Sequence, residues 1–224
     1  MLSHHPLPHW LRQILRWGFI LSLIGVMALA YALSQGLADP PRAGRLQWQS
    51  DFRSDAARWE FRAPAGSTLV PTAGGLLATF SAPEQLALGL TADPGGDFTL
   101  ETGGTQIEGE TGAAYGVVFG WQDETHYSAV LINSNGYAEA YRQAGAEKQV
   151  WFAWGQWPHI LALPESNRVR IDVRGGRVTA RVNDELLVEN ATTVEAIRGR
   201  VGIVARSLGA GKISFSWMRL WASK

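Results

Sequence analysis

Apolar and polar residues alternate along this chain in two different regimes. Between Arg16 and Asp39 no side chain is charged, and Trp17 to Ala38 is mainly apolar on every side of a helical projection. A helix without a polar face suits lipid better than the surface of a small core. About 20 such residues reach across the roughly 30 Å hydrocarbon layer of a bilayer. Beyond this segment no helical period is sustained, and short alternating runs are separated by Gly, Pro, Asn and Asp. The pattern predicts strands over Leu46–Phe52, Thr68–Thr72, Leu76–Ala82, Gln85–Thr91, Phe98–Gly103, Gln106–Glu110, Ala114–Gln122 and His126–Asn133. Further strands are expected over Tyr137–Gln143, Lys148–Gly155, Arg168–Arg174, Val178–Asn183, Leu186–Val188, Gly199–Arg206 and Lys212–Trp221. So many short strands at turn-punctuated spacing imply an all-β, two-sheet sandwich.

Charge orients the apolar segment. Arg12 and Arg16 precede it and the next basic residue is Arg42, beyond Asp39, so the positive-inside rule leaves the N-terminus in the cytoplasm and exports the rest. The organisation expected is a cytoplasmic N-terminus over 1–16, a single-pass transmembrane anchor over 17–38, a Pro40-Pro41 linker over 39–44 and one β-sandwich domain over 45–224. A cleaved signal peptide, with Phe19 to Leu33 as its apolar region and small residues Gly36 and Ala38 near a cleavage site, is the alternative. In both cases the sandwich is extracytoplasmic, membrane-bound in the first and secreted in the second. The chain has no cysteine, which removes disulfides, thiolate catalysis and sulfur-ligated zinc.

The formal charge is zero, yet its signs are segregated. Between Arg62 and Arg142 there is no Lys or Arg, whereas the stretch from Arg168 to Lys224 is rich in both. Strands distant in sequence are neighbours in a sandwich, so cross-strand pairing is the simplest way for the two halves to neutralise each other. The sharpest local pattern surrounds Gly175-Gly176. Val169, Ile171 and Val173, then Val178, Ala180 and Val182, alternate with polar residues. A tight Gly-Gly turn pairs Arg174 with Arg177, Asp172 with Thr179 and Arg170 with Arg181. Arg168, Arg170, Arg174, Arg177 and Arg181 then share a face, either an ordinary solvated one or one that meets anionic lipid or envelope polymer.

Several segments together resemble a known superfamily. DFRSDAARW (Asp51 to Trp59), YGVVFGWQDETHYSAVLINSNGYAEAYR (Tyr115 to Arg142), WGQWPHI (Trp154 to Ile160), NRVRIDVRGGRVTARVNDELL and GRVGIVA follow the order of motifs in concanavalin A-like lectin/glucanase domains of the laminin-G-like type. The resemblance covers nearly all of Leu46 to Trp221, and its motifs are mainly packing and turn patterns. It implies an antiparallel jelly roll and makes carbohydrate the first ligand class.

The glucanase branch of that superfamily carries Glu-x-Asp-x-x-Glu along one strand, and no such string occurs here. Glu108 and Glu110 are the nearest substitute, since a spacing of two residues places both carboxylates on one strand face. Exposed strand glutamates are the commoner explanation of such a pair. Asp93 and Asp97, in Asp-Pro-Gly-Gly-Asp, offer hard oxygen ligands to calcium, although a simple turn explains them as well. No other cofactor is expected, nor is a nucleic-acid partner. The richer clue is aromatic: Trp121, Tyr127, Tyr137, Tyr141, Trp151, Trp154 and Trp157 crowd the middle of the chain, with Tyr137, Glu139 and Tyr141 on one strand face. Sugar faces stack on such rings, and sandwich cores are filled by them too. Trp157, beside Pro158, is the first candidate for an exposed platform. The reading is a membrane-anchored β-sandwich module that binds carbohydrate or an envelope polymer, with a structural or protein-interaction domain and a glycoside hydrolase as alternatives.

Overall fold

A computed structural model describes residues 8–109, 113–191 and 197–223. The chain forms two compact units, divided after Pro40. In the first, α1 (His9–Ala38) is one continuous helix, and His9–Ala32 is long and apolar enough to cross a membrane. Trp17, Phe19, Leu21, Leu23, Ile24, Val26, Met27 and Leu29 are all exposed around it, so the helix has no buried stripe of the kind that binds an amphipathic helix to a core.

The second unit is made of strands β1 (Arg45–Ser50), β2 (Glu60–Arg62), β3 (Ser67–Thr72), β4 (Gly75–Phe80), β5 (Leu86–Thr91), β6 (Phe98–Gly109), β7 (Ala114–Asp123) and β8 (His126–Asn133). They are followed by β9 (Tyr137–Ala144), β10 (Glu147–Gln156), β11 (Asn167–Arg174), β12 (Arg177–Val182), β13 (Glu185–Ala191), β14 (Arg200–Arg206) and β15 (Gly211–Ala222). Two antiparallel sheets result. One has the order β13-β12-β11-β6-β15-β4-β3, with β1 also on β15, and the other β10-β9-β8-β7-β14-β5-β2. Because side chains alternate across a strand, every second residue points between the sheets. Phe98, Leu100, Val169, Ile171, Val173, Ile213 and Phe215 from the first meet Val117, Phe119, Val130, Ile132, Ala140 and Ile203 from the second in one buried core. Each such side chain contributes about 1.5–3 kcal/mol by leaving water.

The sequence pattern and the strands differ at two informative places. β2 is only three residues long, too short for a period of two to register. Phe98–Gly103 and Gln106–Glu110 are joined rather than separate: β6 runs unbroken through Gly103-Gly104. These glycines mark close approach instead of a turn, since a Cβ would press on the Trp217 ring at Gly103 and on the Tyr115 ring at Gly104. Tyr115 lies deep in this packing, with its hydroxyl accepting from Asn167 at 3.2 Å, and burial pushes the phenol up to about 12.

The Gly175-Gly176 hairpin has the expected register, with Arg174 opposite Arg177, Asp172 opposite Thr179 and Arg170 opposite Arg181. Its arginines, however, do not form an open cationic surface. Arg170 is 1 % exposed, with its Nε 2.8 Å from Asp172 and 3.7 Å from Glu101. Arg168 pairs with Asp184 and Arg177 with Glu189, while Arg174 donates to the carbonyl of Pro41 and Arg181 donates to the carbonyl of Asp184 at 3.1 Å. Asp172 within the hairpin, Asp184 and Glu189 beside it and Glu101 on β6 supply the compensation that repulsion between facing arginines demands. The same strand neutralises Lys212 through Glu108 at 2.6 Å, so cross-strand pairing accounts for much of the charge segregation.

Residues expected in the linker are part of the sandwich. Ala43 N–H donates to Thr99 Oγ1 at 2.9 Å, Arg42 reaches Glu101 at 2.8 Å, and Pro41 caps Arg170 and Arg174. Thr99 in turn donates to Asp172 at 2.6 Å. The segment closes over an ionic cluster on the outer face of the first sheet.

Candidate groove on the second sheet

The second sheet has an apolar face on each side. Away from the main core, Leu88 and Leu90 on β5, Ala114 and Val118 on β7, Ala129 and Leu131 on β8, Tyr141 on β9 and Val204 on β14 form a second buried cluster with Trp121. On this outer face Arg206 on β14 reaches across two intervening strands to stand 3.5 Å from Glu139 on β9 and over the Trp154 ring of β10. Small residues let the backbones approach: a Cβ at Gly116 would collide with the Val130 carbonyl, and one at Gly202 with that of Gly89.

Across this floor runs an aromatic ladder. Trp121 and Tyr127 have ring centroids 5.1 Å apart with planes tilted by 34°. Tyr127 and Tyr141 meet edge to face at 6.0 Å, their hydroxyls 3.4 Å apart. Cations lie on the rings: Arg62 is 5.8 Å from the Trp121 centroid and Lys148 is 4.1 Å from that of Tyr141, positions in which the ring quadrupole attracts positive charge. Burial, then the neighbouring Tyr127, drives the Tyr141 phenol far above its ordinary value.

Two cavities open along the ladder. One of about 700 Å³ is bounded by Phe61, Arg62, Pro64, Glu84, Leu86 and Trp121. The other, of about 420 Å³, is bounded by Glu84, Leu86, Tyr127, Tyr141, Lys148 and Arg206. Both are of the size that small-molecule sites occupy, with an apolar wall and a few convergent polar groups.

The expected ligand residues divide accordingly. Trp121, Tyr127 and Tyr141 are brought together, with Glu139 beside them. Tyr137, Glu139 and Tyr141 do share a face of β9, but the strip is not open: Glu139 is 6 % and Tyr141 4 % exposed, and Lys148 pairs with Glu139. Tyr137 stacks on Trp154 at 6.1 Å with planes 16° apart, and both remain partly exposed. Trp157, expected as the exposed platform, is instead half-buried against the main core and meets Phe152 edge to face at 6.0 Å. Its backbone N–H donates to Gly136 at 2.7 Å, drawing the loop inward.

The other candidates lie elsewhere. Glu108, on β6 of the other sheet, is exposed and paired with Lys212; Glu110 falls outside the described residues. Asp93 accepts from the amides of Gly95 and Gly199, and Asp97 from that of Gly175, so each fastens a turn. Among the described residues, no group of three His, Asp or Glu side chains is arranged to hold a metal ion. Arg62, Glu84, Leu86, Lys148 and Arg206 were not singled out from the sequence. The one available signal was Gln85–Thr91, whose Leu86, Leu88 and Leu90 make a strand apolar on both faces and so imply cover on both.

The architecture matches that of solved carbohydrate-binding and glucanase structures. The fold is a concanavalin A-like jelly roll. This jelly roll aligns with the carbohydrate binding module CBM66 from Bacillus subtilis at TM-score 0.55 and 16 % identity, over 70 % of this chain and 91 % of that one. It aligns with the Bacillus licheniformis beta-glucanase at 0.56 and 10 %, over 80 % and 98 %. A third match is the VIP36 exoplasmic/lumenal domain in its Ca²⁺/mannose-bound form, at 0.52 and 9 %, over 73 % and 82 %. At these identities the likeness concerns the jelly roll itself. Neither a protein-family model nor a curated protein matches the sequence.

Proposed function

We propose that this chain is a membrane-anchored, extracytoplasmic glycan-binding module, with its ligand taken up on the outer face of the second sheet. The observation that carries the reading is the Trp121–Tyr127–Tyr141 ladder between two cavities, on a sheet whose floor is apolar and whose rim carries Arg62, Glu84, Lys148 and Arg206. Tyr127, the partly exposed ring of the ladder, supplies contact to the CH face of a sugar, with Trp121 and Tyr141 packed on either side of it, while rim charges bond the hydroxyls, the division of labour common to small-molecule sites. A carbohydrate binding module and a mannose-bound domain among proteins of this fold support the ligand class.

Binding without turnover is the reading of the carboxylates. Retaining glycoside hydrolysis needs an acid and a nucleophile about 5–5.5 Å apart. The buried carboxylate of the groove, Glu139, has one oxygen paired with Lys148 and the other with Arg206, so neither is free to face a glycosidic bond. For α1, the lack of any polar face together with the Arg12 and Arg16 flank supports an anchor with the sandwich outside.

The test is a glycan array probed with the full chain in detergent micelles, with and without calcium, beside Lys148→Ala. Binding that weakens in the variant supports the groove. A silent array, with a protein recovered by crosslinking in its place, overturns the glycan reading. Intact mass of the membrane-fraction protein tests the anchor: retention of residues 1–38 supports it, and their loss means a cleaved signal.

A further inference from the structure

Glu84 stands where the two cavities meet, since it and Leu86 line both. Its backbone has φ 57°, in the left-handed region that residues with a β-carbon avoid. The conformation is held from outside: Glu84 N–H donates to the Ser207 carbonyl at 3.0 Å, while Ser207 Oγ accepts from Gln85 N–H at 3.0 Å and donates to Ala82 at 2.7 Å. A strained residue so firmly over-determined directs attention to what its side chain does. The Glu84 carboxylate is exposed and makes no hydrogen bond or ion pair among the described residues.

The charges around it are matched differently. Arg62 is paired with Glu60, and Lys148 and Arg206 both with Glu139. Each cation of the groove therefore has an internal acid, whereas Glu84 and Glu124, which lines the larger cavity, have no internal cation among the described residues. An anionic polymer would meet two unpaired carboxylates and would have to displace an existing pair to gain a partner. Vicinal hydroxyls, in contrast, donate to such a carboxylate in charge-assisted bonds. Rings lie on both sides as well: Trp121, 2 % exposed, bounds the larger cavity, and the smaller is bounded by Tyr127, the partly exposed ring that is open to stacking beside Glu84.

We infer that Glu84 is the shared acceptor of a two-lobed groove, and that the ligand is an uncharged oligosaccharide long enough to occupy both lobes. This deepens the glycan reading and rests on it. A single sugar fills one lobe and leaves the other in water. An anionic chain is repelled by Glu84 and Glu124.

Calorimetric titration of the full chain in detergent micelles tests this with cello-, xylo-, manno- and laminari-oligosaccharides of one to six sugars, and with oligogalacturonides as the charged set. Where the array selects another glycan, its own length series is used. Affinity is expected to rise at least tenfold from one sugar to three and to be at least tenfold weaker for oligogalacturonides. Glu84→Gln should lose at least fivefold in affinity for the neutral chain. Glu84→Gly should lose as much while melting at the same or a higher temperature, because glycine accepts a positive φ without strain. A single sugar binding as tightly as its oligomers, tighter binding of oligogalacturonides, or full affinity in both Glu84 variants overturns the inference and leaves glycan binding standing. Silence across every series and across the array overturns both.

Discussion

Replacing Arg170 by Met should unseat the outer face of the first sheet. The guanidinium is 1 % exposed and forks onto Asp172, with Nε and one terminal nitrogen each 2.8 Å from a carboxylate oxygen. Glu101, itself 1 % exposed, lies 3.7 Å away, and Thr99 and Arg42 complete the cluster beneath Pro41–Ala43. Met fills similar volume but leaves Asp172 without its buried cation and Glu101 with Arg42 alone. Breaking such a buried pair costs about 3–5 kcal/mol, against total stabilities of about 5–15 kcal/mol. For a domain of this size that lowers the melting temperature by roughly 6–20 °C. Arg170→Lys keeps the charge but not the fork, and should fall between wild type and Met. Urea denaturation followed by tryptophan fluorescence reads all three, with circular dichroism confirming a folded baseline. A loss below about 1 kcal/mol for Arg170→Met is the size of a surface pair, and would refute the claim that this cluster is sealed from water.

Other expectations follow from the same geometry. Because folding holds Tyr115 in its neutral form up to about 12, its contribution is fully present below pH 10 and is lost as pH rises from 10 to about 12, a span of about 3 kcal/mol; an alkaline titration of tyrosinate absorbance should show this phenol and Tyr141 ionising only with unfolding. Gly202→Ala drives a Cβ into the Gly89 carbonyl and should cost about 3 kcal/mol or more, whereas Gly74→Ala, with nothing nearby to meet, should leave the urea midpoint almost unchanged. Glu139→Gln removes the acid shared by Lys148 and Arg206; it should destabilise by about 1.5–3 kcal/mol and give the groove measurable affinity for oligogalacturonides, read by calorimetry.

How much of this was legible along the chain depends on what each feature requires. The Gly175-Gly176 hairpin could be paired residue by residue because strict alternation and a two-residue turn leave one register. The sandwich itself was legible for the same reason. The fate of its arginines was not, since Arg170 becomes buried through Glu101 on a strand some seventy residues earlier and through a cover of Pro41–Ala43. The groove was half legible: Trp121, Tyr127 and Tyr141 stood out by residue type, but Lys148 reaches Glu139 over the Tyr141 ring and Arg206 reaches it across two intervening strands. Glu84 was hidden in the punctuation Ala82-Pro83-Glu84, where a turn is the obvious reading. Trp157 misled because a Trp-Pro pair suggests an exposed loop, whereas this loop is drawn in by Gly136 and packs on Phe152.

The central claim, that ligand lies on the outer face of the second sheet, is tested most directly by one affinity comparison. The glycan selected by the array is titrated into wild type, Tyr127→Ala and Trp217→Ala, the last carrying its change on the other sheet beside Gly103. The account predicts at least a tenfold loss for Tyr127→Ala and unchanged affinity for Trp217→Ala, with both variants folded. Unchanged affinity in Tyr127→Ala together with a loss in Trp217→Ala would contradict it.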